Sequence, residues 1–122
     1  MKNAYKTSLI LFLLPLLLLS ACSGPSASEK DNIQLQKKAK SWNDADYKQS
    51  KVPLHSYVKL YGVIQKSDGK NEKVGKNNRF ILMRSNTRYQ VINGTNKEFK
   101  VGDKVTVYGE YYGFIKAMSI EQ

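Results

Sequence analysis

The chain has 122 residues, 20 of them Lys or Arg and 10 Asp or Glu, for a formal charge of +10. That length holds one small domain and excludes a multidomain enzyme. A single Cys and a single His exclude a disulfide framework and a Cys/His zinc cage.

Lys2 and Lys6 open the chain, and no acidic residue precedes Glu29. Leu9 to Leu19 is apolar throughout, with Pro15 inside the run. As a helix this run would span ~16 Å, against a bilayer core of about 30 Å. A basic start, a short apolar core and small residues after it predict a signal peptide over residues 1–21.

Leu19-Ser20-Ala21-Cys22 resembles the lipobox of bacterial lipoproteins. The resemblance implies acylation of the Cys22 thiol, cleavage after Ala21, and a membrane partner reached through the lipid on Cys22. One acyl chain holds a protein marginally, at ~0.8 kcal/mol per buried CH₂, whereas two or three hold it stably. The expected location is therefore the extracytoplasmic face of a bacterial cell membrane. Ser23 rather than Asp follows Cys22, so nothing resembles an inner-membrane retention signal.

Cys22 to Ser28 is small and polar and reads as a tether, giving a root-mean-square reach of about 13 Å. A helical segment is expected over 29–51, opened by a capping box at Ser28 and Asp31. Leu35, Ala39 and Trp42 fall on one helical stripe, with Lys30, Lys37, Lys38 and Lys40 on other faces. Such a helix either packs Trp42 against the following domain or lies on anionic lipid.

From residue 52 to 122 the period becomes two. Val58, Leu60 and Ile64 alternate with Tyr57, Lys59 and Tyr61, as in a half-buried strand. The polar stretch 67–78 reads as a loop. Arg79 to Arg84 and Arg88 to Ile92 form the next strands, followed by the turn dipeptide Asn93-Gly94. Lys104 to Tyr111 and Phe114 to Ile120 complete five strands, and Gly62 and Gly109 mark bends. The fold class is mainly β: a small five-stranded OB-like Greek-key barrel preceded by one short α-helix.

Val58-Lys59-Leu60-Tyr61-Gly62-Val63-Ile64 and Gly102-Asp103-Lys104-Val105-Thr106-Val107-Tyr108-Gly109 resemble recurring segments of bacterial OB-fold families. Over Leu35 to Ile120 the chain is similar to small secreted and lipid-anchored members of the tRNA-anti-like OB group. That resemblance speaks to fold, because OB barrels host many unrelated activities.

The residues offer no catalytic constellation: His55 stands alone, and the carboxylates are scattered among lysines. No cofactor or metal site is expected. Alternation instead places Tyr57, Lys59 and Tyr61, with Lys104, Tyr108 and Tyr112, on the outer face of the first and fourth strands. A basic aromatic face of this kind suits a protein partner at the cell envelope, as in exclusion or immunity proteins. It also suits an anionic cell-wall polymer or lipid headgroup. Nucleic acid fits the face but not the location. The bland alternative is that these Tyr pack against the helix and the Lys form a solubilising coat.

Overall fold

The computed structural model describes residues 27–122, so the signal peptide expected over 1–21, Cys22 and the expected tether as far as Ser26 lie outside the described residues. Asp31–Gln122 forms one compact unit. In chain order the elements are α1 (Ala27–Lys38), β1 (Lys40–Ser41), α2 (Asp44–Lys48) and β2 (Tyr57–Ser67). A 3-10 turn (Lys70–Glu72), β3 (Lys73–Val74), β4 (Arg79–Arg84) and β5 (Thr87–Asn93) follow. The chain ends with β6 (Phe99–Lys100), β7 (Lys104–Tyr111) and β8 (Ile115–Glu121).

Five strands close into a barrel in the order β2-β4-β5-β8-β7, with β7 returning to pair with β2. All these pairings are antiparallel except β5 with β8. This is the strand order of an OB-like barrel. The expected period of two holds along the walls: Val58, Leu60, Ile64, Leu82, Val91, Val105, Val107 and Ile120 are buried. Each such side chain contributes roughly 1.5–3 kcal/mol relative to an exposed position.

β2 is long because it serves two neighbours, pairing with β7 over Tyr57–Val63 and with β4 from Val63 onward. Gly62 sits at the handover, where a Cβ would come within 2.6 Å of the Met83 carbonyl oxygen. Gly109 adjoins the register shift that leaves Met118 of β8 unpaired, and a Cβ there would overlap the Lys116 carbonyl on β8. Both glycines therefore permit a close backbone approach.

The segment before the barrel, expected to be helical over 29–51, holds α1, a two-residue strand and α2. α1 starts at Ala27, which puts Ser28 inside it, and its last backbone bond runs from Ala39 N to Leu35 O. Lys40 and Ser41 then extend and pair in parallel with Val58 and Lys59. That pairing satisfies backbone groups that further helix would have used. Trp42 consequently leaves the Leu35 stripe and packs against the barrel core, with the Lys40 ammonium 4.2 Å from its ring centroid. The capping box lies at Asn43 and Asp46, opening α2, whose Tyr47 belongs to the main core.

Two further departures concern the polar stretches. Within 67–78, Lys73 and Val74 pair with Lys100 and Phe99, and the buried Val74 and Phe99 join the core. At 93–94 there is no two-residue hairpin. Asn93 ends β5 with its side chain fully buried, donating to the carbonyls of Gly75 at 3.2 Å and Lys97 at 2.9 Å. Its carbonyl oxygen accepts from Thr95 N and Thr95 Oγ1 at 2.9 and 2.7 Å.

Candidate functional site

β2 and β7 set the register of the six outer-face residues. Lys59 pairs with Tyr108, Tyr61 with Thr106, Val63 with Lys104, and Tyr57 with Glu110. Lys59, Lys104 and Tyr61 are exposed, and Tyr61 leaves 53% of its surface open in the middle of a barrel strand. A large aromatic held open at such a position is the kind of group that anchors interfaces.

Tyr108 departs from the expected face: it is only 6% exposed. On α1, Leu35 is buried, Gln36 Nε2 donates to Glu121 Oε1 at 2.7 Å, and Leu35 lines a depression with Tyr57 and Met118. Across the sheet Tyr108 pairs with Ser119 of β8, and both residues are buried. Lys59 Nζ lies 5.7 Å from the Tyr108 ring centroid, so this Lys covers the remaining edge.

Tyr57 and Tyr112 stay exposed but lie at the other end of β2 and β7 from Lys104. Tyr112 follows β7 and stacks on Phe114 at 5.6 Å, with the His55 ring edge-on at 5.0 Å. A hydrogen bond to the Glu110 carboxylate, more than desolvation, raises its phenol above the ordinary value. Of the six residues, Tyr108 is buried; Tyr57, Lys59, Tyr61 and Lys104 stay exposed along one face, and the exposed Tyr112 lies beyond the end of β7 with Phe114 and His55.

Residues outside the expected set extend that face. Val63 pairs on its other side with Met83, and Met83 pairs with Arg88. Paired residues point to the same side of a sheet, so the half-buried Val63 and Met83 link Tyr61 to the exposed Arg88. Only the register reveals this row, because β4 and β5 read alone show no pattern distinguishing Met83 from Ile81.

Arg88 also rims a cleft of about 370 Å³ with Tyr47, Tyr89, Tyr111, Gln90 and Ile115 in its walls. Tyr47 is set edge-on to Tyr89 at 4.9 Å and to Tyr111 at 5.5 Å. Its hydroxyl is buried without a hydrogen-bond partner, and desolvation, only partly opposed by Arg84, pushes the phenol up to about 12. Such a group remains neutral and carries a proton to donate.

Behind the cleft, Arg84 donates from Nε to Asp44 Oδ1 at 2.8 Å and from Nη2 to the Trp42 carbonyl at 2.8 Å. The Tyr89 hydroxyl also donates to Asp44 Oδ1. Desolvation would raise the Asp44 carboxyl, but the bonds from Tyr89 and Arg84 outweigh it and hold the group below its ordinary value. Desolvation and the bond to Asp44 raise the Tyr89 phenol. The arrangement positions the cleft walls rather than exposing a reactive group.

No group of three or more His, Cys, Asp or Glu able to hold a metal ion occurs among the described residues. No family model matches the chain, and neither curated proteins nor solved structures gave a match.

Proposed function

We propose that this chain is a lipid-anchored protein on the extracytoplasmic face of a bacterial membrane, held through acylated Cys22. There it acts without catalysis as a protein-interaction module of the exclusion or immunity type. The lipobox-like Leu19-Ser20-Ala21-Cys22 supports the anchor. The observation that carries the interaction reading is the continuous row Tyr61, Val63, Met83 and Arg88, which ends at the tyrosine-walled cleft. An exposed aromatic, an apolar strip and a concave end suit a protein surface that inserts one side chain. Flanking Lys59, Lys104 and Arg88 favour an acidic partner.

Crosslinking pull-down from intact cells tests this reading. A partner captured by the parent should be lost with Tyr61→Ala plus Arg88→Glu, while Cys22 acylation continues. Capture unchanged by both substitutions contradicts the assigned surface.

The same three cations also support a second reading, an anionic cell-wall polymer or lipid headgroup. Polyanion binding weakens steeply as salt rises, whereas docking through Tyr61 and Met83 should weaken little.

A further inference from the structure

At the end of the barrel remote from Lys104, two loop tips hold apolar side chains in the open. Leu54 is 63% exposed, and Tyr57, Tyr112 and Phe114 are also exposed, as is Met118 on the adjoining face of β8. The tips do not collapse, because backbone bonds fix them: His55 N donates to Tyr111 O at 2.7 Å and Tyr111 N to Ser56 O at 3.0 Å. Tyr112 N donates to Phe114 O at 2.7 Å, and Ser56 Oγ to Pro53 O at 2.6 Å. Tyr112 stacks on Phe114 and meets the ring of His55, the neighbour of Leu54. Tyr57 shares a depression with Met118 and pairs with Glu110, two residues before Tyr112; together these residues border one rim.

We infer that this rim rests in the membrane interface, so that the anchored domain docks on the bilayer through Leu54, Tyr57, Tyr112, Phe114 and Met118. The inference rests on the anchoring proposed above. Chain length supports it: Leu35 and Lys38 of α1 line the depression with Tyr57 and Met118. In sequence, Leu35 follows Cys22 by only 13 residues.

Composition supports it too. Tyr and Phe place an apolar body in the acyl boundary, and Tyr keeps its hydroxyl at the headgroups. Lys38 borders the depression, and Lys116 pairs across the sheet with Glu110, which itself pairs with Tyr57. Two lysines thus border the rim on either side of one carboxylate, which suits anionic headgroups. Tyr61 lies four residues along β2 from Tyr57, about 13 Å away, and stays clear of the lipid.

Acylation would consume the sole native thiol, so an introduced Cys becomes the one labelling site. The full chain carrying Leu54→Cys, Phe114→Cys or, beyond the far end of β2, Lys70→Cys is expressed, and its membrane fraction is labelled with a polarity-sensitive fluorophore. Purified protein is then returned to vesicles of phosphatidylglycerol and phosphatidylcholine with or without a headgroup-level quencher lipid. The labels at 54 and 114 should shift to the blue and lose fluorescence to the quencher, while the label at 70 should do neither. A membrane-bound protein whose labels at 54 and 114 ignore the quencher overturns the contact and leaves the anchor standing. Disulfide-linked dimers of the Leu54→Cys or Phe114→Cys chain, with no quenching, would give the rim to a second copy and overturn it likewise. Protein absent from the membrane fraction with Cys22 unmodified would overturn the anchor, and the contact with it.

Discussion

Arg84 on β4 grips Asp44 on α2 with two nitrogens, Nε at 2.8 Å and Nη2 at 2.7 Å, across forty residues of chain. The pair ties the segment before the barrel to the barrel wall, and Tyr89 completes it from β5. The helix it holds carries Tyr47, so the shape of the cleft depends on this ion pair.

Arg84→Ala should therefore destabilise the domain by about 1–3 kcal/mol, because Asp44 and the Trp42 carbonyl each lose a partner. Denaturant unfolding measures the loss. The Asp44 contribution also fixes a pH dependence. Its folded pKa is depressed, so the stability it provides is present above about pH 4 and falls away as the carboxylate protonates at lower pH. Asp44→Asn should flatten the acid limb of stability against pH.

Asn93→Ala should cost about 1–3 kcal/mol for each buried backbone group left unpaired. The Lys97 carbonyl and the Thr95 amide depend on this one side chain, while the Gly75 carbonyl also accepts from Asn78 N. Thermal unfolding should show a markedly lower midpoint, and Asn93→Asp should not restore it, since a carboxylate cannot donate to those carbonyls.

Gly109→Ala should destabilise by about 1–3 kcal/mol through overpacking, because the added methyl meets the Lys116 backbone rather than a side chain that could turn away. Val107→Asp, placing a charge at a fully buried wall position, should abolish cooperative folding. Far-UV circular dichroism separates a weakened barrel from an absent one.

The two outer-face tyrosines should behave differently. Tyr61→Ala should change stability by no more than about 0.5 kcal/mol, as open surface positions usually do. Tyr108→Ala removes a buried ring and should cost about 3 kcal/mol or more. Equal costs at both positions would contradict the burial of Tyr108.

The barrel was legible because alternation is local. Val58, Leu60 and Ile64 announce one wall and Val105 and Val107 another, and Gly62 and Gly109 mark the close approaches. Two-residue strands such as Lys73–Val74 and Phe99–Lys100 carry no periodicity, and only their partner defines them. The end of α1 was hidden for a similar reason: Leu35, Ala39 and Trp42 keep helical spacing, but pairing of Lys40 with Val58 overrides it. Alternation also says which side of the sheet Tyr108 occupies, yet not that its ring is buried there. The row from Tyr61 to Arg88 crosses three strands and needs the register of all of them.

Site-specific photocrosslinking tests the central claim most directly. A photoreactive phenylalanine analogue at position 61 in the full chain, irradiated in intact cells, should join one envelope protein. The same group at position 70, beyond the far end of β2, should not. Crosslinking at 61 that yields only polymer or lipid adducts, or no adduct while Cys22 acylation proceeds, would contradict a protein-docking role for this face.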